Sequence, residues 1–74
     1  MNLTFTAYIE YDSETKLYLG SIPSISGAHT QGATLDELHQ NLEEVLSLCL
    51  DENPEVLEGR AKFVGTQQVE IVTP

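Results

Sequence analysis

Residues 22–50 read IPSISGAHTQGATLDELHQNLEEVLSLCL, and the fold turns on how this run is divided. It starts with Pro23, which has no N–H to give a sheet ladder and so ends or kinks a strand. Gly27 closes a short turn over residues 24–27, and Gly32 marks a break before the second half. That half is the only long helical pattern in the chain. Leu35, Leu38, Leu42, Val45, Leu46 and Cys49 recur at three- and four-residue spacing and make one apolar stripe. Gln40, Asn41, Glu43, Glu44, Ser47 and Asp51 fall largely off it. Thr34 followed three residues later by Glu37 is a capping box, in which the hydroxyl takes an orphan backbone N–H and the carboxylate reaches back. Asp36 and Glu37 also suit the positive end of the helix dipole. Asn53-Pro54 ends the pattern, because a residue before proline avoids the helical region.

Upstream, residues 1–12 alternate. Leu3, Phe5, Ala7, Ile9 and Tyr11 fall on one face, and Thr4, Thr6, Tyr8 and Glu10 on the other. The polar residues 12–15 supply a turn, and residues 16–22 read as a second strand paired antiparallel to the first. Residues 28–31 read as a short third strand. If the helix covers one sheet face, this alternation places Tyr8, Tyr18 and Ile22 together on the other. Downstream, residues 55–60 read either as a further helical turn or as a loop ending at Gly59. Residues 61–72 read as a last strand bearing Phe63, Val69 and Ile71, bulged near Gly65. The expected fold is α+β, in the order β-β-β-α-β over one domain spanning residues 1–74. A right-handed crossover would bring the last strand beside the first, giving spatial order 3-2-1-4 with the helix on one face.

A domain of 74 residues buries only about 60% of the surface its unfolded chain exposes. Small domains often add disulfides, a metal or a partner subunit. With Cys49 the sole cysteine, neither an internal disulfide nor a Cys/His metal framework is available. The expectation is a homo-oligomer, dimer or tetramer, with no cofactor and no metal. Nothing in residues 1–16 has the basic-then-apolar pattern of a signal peptide, and no run approaches the ~20 apolar residues of a bilayer span. A cytoplasmic protein that does not insert in membranes is expected. The net charge is −9, twelve acids against Lys16, Arg60 and Lys62, which repels phosphate backbones and disfavours direct nucleic-acid binding.

The order and spacing of Tyr18, then Ile22-Pro23-Ser24-Ile25-Ser26-Gly27, then Thr30-Gln31-Gly32-Ala33-Thr34-Leu35-Asp36-Glu37-Leu38, resemble the HicB family of antitoxins. Three positions depart from the usual family pattern: Ser24, Ser26 and Ala28. The resemblance implies a partial ribonuclease-H-like fold without nuclease activity, one that binds and blocks a small basic toxin that cleaves messenger RNA. Typical members also carry a C-terminal DNA-binding domain. This chain ends at Pro74, so a module without that function is expected.

Each candidate site residue also has an ordinary structural role. Glu10, Asp12, Asp36, Glu43 and Glu44 would have to converge within about 4 Å of a metal pair to act as a ribonuclease-H-like nuclease centre. Glu43 and Glu44, neighbours on a helix, point apart by about 100°, and a solvated acidic face is the better account. His29 and His39 have no triad-like company, and Cys49 on the apolar stripe fits a buried, inert thiol. Partner binding is assigned to Tyr8, Glu10, Tyr18, Glu43 and Glu44. Folding roles go to Pro23, Gly27, Gly32, Thr34 and Glu37. The expected function is a non-catalytic module that neutralises a small basic toxin by protein–protein contact. The alternatives are a stand-alone oligomeric scaffold or regulatory domain and, much the weaker, a metal-dependent nuclease.

Overall fold

A computed structural model describes residues 3–74; Met1 and Asn2, the start of the alternating N-terminal run, lie outside the described residues. The chain has an α+β fold in the order β1 (Tyr8–Asp12), β2 (Leu17–Ser21), β3 (His29–Gly32), α1 (Leu35–Glu52) and a 3-10 turn, Pro54–Leu57. The three strands form one antiparallel sheet in the order β1-β2-β3. No helix among the described residues is long and apolar enough to cross a membrane.

The β1–β2 connection shows how turn chemistry sets register. Asp12 accepts from the Glu14 N–H through Oδ1 at 3.0 Å and from the Thr15 hydroxyl through Oδ2 at 3.0 Å. Its backbone carbonyl accepts from the Lys16 N–H at 2.7 Å, and Lys16 takes the left-handed φ of 59° that closes the loop. Asp12 then pairs with Leu17, Tyr11 with Tyr18, and Ile9 with Gly20. Paired residues share a sheet face. A Cβ placed on Gly20 would lie 3.0 Å from Leu38 Cδ1, so Ile9, Tyr11, Tyr18 and Gly20 face the helix side. Tyr8, Glu10, Leu19, Ser21, His29 and Gln31 face the other way.

The five buried apolar residues, Ile22, Ile25, Ala28, Leu38 and Leu42, all come from the stretch over residues 22–50. Three sit in the loop joining β2 to β3. That loop is closed by the Ile22 N–H donating to the Ala28 carbonyl at 2.8 Å, and Gly27 turns it with a φ of 83°. Pro23 ends β2 as expected. The helix lies over the β2–β3 side of the sheet, and Phe5, Ala7, Tyr18, Leu46, Cys49 and Val56 pack around the buried set. Thr34 caps α1, its Oγ1 accepting from the Glu37 N–H at 3.1 Å. The reciprocal bond from the Thr34 N–H to the Glu37 carboxylate is not among the hydrogen bonds of the described residues. Half of the expected capping box is therefore formed. Asn53 ends the helix, its N–H donating to the Cys49 carbonyl at 3.0 Å.

Three expectations are corrected. The first strand is shorter than residues 1–12, because β2 stops at Ser21 and leaves residues 3–7 nothing to pair with on that side. Residues 61–72 form no strand, so the order is β1-β2-β3 and not 3-2-1-4. The segment does run beside residues 5–8, with the Arg60 guanidinium 4.5 Å from the centre of the Phe5 ring and Phe63 edge-on to Tyr8 at 6.0 Å. Its neighbours at that point are mostly outside the sheet, which gives a fourth strand no ladder to join. Third, Leu35 at the head of the apolar stripe is exposed.

Candidate partner-binding surfaces

Two surfaces combine apolar area with charge. The first is the sheet face away from the helix. Tyr8 and Glu10 from β1, Leu19 from β2 and Gln31 from β3 line an open groove of about 700 Å³, with Phe63 and Thr66 on its rim. Tyr8 and Phe63 meet as a T-shaped pair, an arrangement the ring quadrupoles favour. Both rings remain exposed, as does Leu19.

The second is the solvent side of α1. Glu43, Glu44, Ser47, Leu48 and Asp51 line a shallow hollow of about 440 Å³ around the Leu48 side chain, which is 60% exposed. The helix carries Asp36, Glu37, Glu43, Glu44, Asp51 and Glu52 and no lysine or arginine. The first two acids oppose the positive end of the helix dipole and stabilise it. Asp51 and Glu52 stand at the negative end, where carboxylates are unfavourable. His39 Nε2 lies 3.1 Å from Glu43 Oε1, one helical turn on, with both side chains largely in solvent, so the pair adds little to stability.

The sequence-assigned residues divide among three places. Tyr8 and Glu10 share the sheet groove, and Glu43 and Glu44 share the helix hollow on the opposite side of the molecule. Tyr18 joins neither. It is half-buried on the helix side of the sheet, packed on Tyr11 with ring centres 5.0 Å apart and against the core. The expectation that Tyr8, Tyr18 and Ile22 share a face is corrected by the turn. Pairing Asp12 with Leu17 aligns odd-numbered residues of β1 with even-numbered residues of β2, so the faces swap between strands.

Leu19 and Phe63 are the surface residues that alternation alone misplaced or missed. A signal for Leu19 was present: its neighbour Gly20 marks a close backbone approach within a strand, which identifies the helix side. The carboxylates do not converge. Among the described residues no three His, Cys, Asp or Glu side chains stand close enough to hold one metal ion. Cys49 Sγ reaches the Ser26 carbonyl at 3.9 Å, a weak contact tying the helix to the β2–β3 loop.

No family model and no solved structure matches the chain. Three relatives of similar length do. A UPF0150 protein of Thermotoga maritima is 44% identical over 69 residues, covering 93% of this chain and 91% of the relative. A UPF0150 protein of Synechocystis is 43% identical over 65 residues, covering 88% and 90%. A third, of Archaeoglobus fulgidus, is 38% identical over 71 residues, covering 96% and 99%. Near-complete coverage in both directions at this identity makes the chain a member of the UPF0150 protein family.

Proposed function

We propose that this protein is a non-catalytic binding module of the HicB antitoxin kind, acting in the cytoplasm, which holds a small basic toxin through the solvent side of α1. The observation that supports this most directly is the uncompensated acidity of the helix. Glu43, Glu44 and Asp51 surround the exposed Leu48 on a helix with no lysine or arginine, His39 beside Glu43 being its one titratable base. Asp51 and Glu52 at the negative end of the dipole cost stability in the free protein, and a cationic partner would offset that cost. An apolar centre within a charged rim also matches the usual anatomy of an interface. The partner expected from the resemblance is a messenger-RNA-cleaving toxin, whose basic surface meets a chain of net charge −9 with steered association.

The test is co-expression with a small basic protein encoded beside this gene, followed by affinity capture and titration. The complex should weaken as salt rises. The double variant Glu43→Lys/Glu44→Lys should weaken it by at least about tenfold, a change of about 1.4 kcal/mol. Failure to capture such a partner at low salt would overturn the proposal.

A stand-alone oligomer is the second reading, and a separate observation favours it: the apolar C-terminal residues are left in solvent.

A further inference from the structure

The C-terminal segment is placed where its own chain cannot bury it. Val69, Ile71 and Val72 are 79%, 78% and 101% exposed. The radius of gyration is 14.5 Å, against about 11 Å for a compact chain of this length. The two aromatic contacts set the direction. Arg60 lies by Phe5 and Phe63 by Tyr8, so the segment advances alongside β1 in the same sense. Continued in that register, Gln67 would stand beside Asp12, the last residue of β1. Val69, Ile71 and Val72 would then overshoot the strand and meet only the polar turn. No shift to a proper fourth strand in that register buries them within one chain.

The sheet presents a matching vacancy. The β3 edge is closed: α1 covers it, and the Asn41 side-chain amide donates to the Gln31 carbonyl at 2.8 Å. Past Tyr8, where Phe63 stands, the β1 edge is open over residues 9–12; it carries Glu10 and Asp12 but lacks the proline, lysine or bulge that blunts many edges. The helix does not reach β1, and Ile9 and Tyr11 stay more than half exposed on the helix side of the sheet. Ile9 and Tyr11 are two residues apart, as are Val69 and Ile71, so the two pairs fit as cross-strand neighbours on one face.

We infer that the segment around Val69–Val72 of one copy adds as a strand to the open β1 edge of a second copy, and that the exchange is reciprocal. A two-fold exchange uses both edges and closes the assembly. It completes in two chains the four-stranded sheet that one chain leaves unfinished. With Val69 and Ile71 on the face of Ile9 and Tyr11, Glu70 falls on the face of Glu10, and like charges opposed across strands repel. Association therefore tightens as salt screens them, the reverse of the response expected for a basic partner. The exchange does not depend on the helix surface binding anything.

Analytical ultracentrifugation of the full chain tests this, with Val69→Glu/Ile71→Glu as the variant. Both positions are exposed within one chain, so the helical part of the circular dichroism spectrum should be unchanged. The wild type should sediment as a dimer that strengthens with salt, and the variant should raise the dissociation constant at least about tenfold. Hydrogen exchange supplies a second readout: those amides of Tyr8–Asp12 that do not bond to β2 should be protected in the wild type and lose protection in the variant. A wild type that stays monomeric at high concentration and high salt overturns the inference. So does a dimer that the variant leaves intact.

Discussion

A Cβ added to Gly32 would stand 2.6 Å from the backbone nitrogen of Leu38 and 2.9 Å from its Cα. This contact is what allows α1 to start directly on the end of β3. Backbone is what intrudes at Gly32, and backbone cannot step aside as a side-chain tip can. At Gly20 the nearest atoms are the Leu38 and Leu42 methyl groups, at 3.0 and 3.1 Å. Gly32→Ala should therefore cost at least about 2 kcal/mol and Gly20→Ala about 1 kcal/mol, within the range seen for overpacked sites. Urea unfolding of the three proteins checks the order. Equal stability of Gly32→Ala and wild type would show that the helix start is not held by this contact.

The cap at Thr34 makes a smaller and separable contribution. Its Oγ1 accepts the Glu37 N–H, and the expected return bond from the Glu37 side chain is missing. Removing the hydroxyl should cost about 1 kcal/mol, the usual loss for one N-cap. Thr34→Ser should keep most of that, and Glu37→Gln should change stability little because its carboxylate makes no cap bond. Thermal unfolding of Thr34→Ala, Thr34→Ser and Glu37→Gln separates these. A large loss in Glu37→Gln would mean that the full box forms in solution.

The far end of the same helix carries an opposite expectation. Asp51 and Glu52 sit against the negative end of the dipole with no basic residue in the last turn. Asp51→Asn/Glu52→Gln should raise stability by about 0.5–1 kcal/mol at low ionic strength, and the gain should shrink as salt is added. The same change should weaken capture of a basic partner. Stability that is unchanged at low salt would remove the dipole argument, and with it part of the case for a functional reason to keep these acids.

Much of this was legible in the sequence because its signals were local. The helix span and its stop at Asn53-Pro54 follow from spacing and backbone sterics, and they agree with α1 ending at Glu52. The first hairpin and the short third strand were likewise readable from alternation and turn residues. What was not legible depended on a register or on a partner. The faces of β2 hinge on how many residues the turn at 13–16 consumes, so Tyr18 was placed outside when it packs inside. Residues 61–72 read as a strand, since Val, Ile and Thr favour extended backbone, and they form none. Pattern alone could not say whether an edge stands free beside them to pair with. Of the assigned surface residues, Tyr8 with Glu10 and Glu43 with Glu44 fall in two separate surfaces, because sequence spacing carries no information about which side of a sheet a helix takes.

Tyr8 and Tyr18 supply the sharpest test of that face assignment, because the two residues looked equivalent in the sequence and are not. Tyr18 pairs with Gly32 across β2 and β3, stacks on Tyr11 and closes the core from the β1 side. Truncating it removes half-buried aromatic area and should cost about 2 kcal/mol, below the ~3–5 kcal/mol of a fully buried ring. Tyr8 lies on the outer face, exposed and edge-on to Phe63, and Tyr8→Ala should cost no more than about 1 kcal/mol. Loss of that contact should also free the segment that begins at Arg60, so tryptic cleavage after Arg60 and Lys62 should speed up in Tyr8→Ala and stay unchanged in Tyr18→Phe. Denaturant midpoints and limited proteolysis on the same samples give both readouts. If Tyr8→Ala proved the more destabilising of the two truncations, the outer face of the sheet would have to be buried in the folded monomer, and the groove between Tyr8, Leu19 and Phe63 would not be available to any partner.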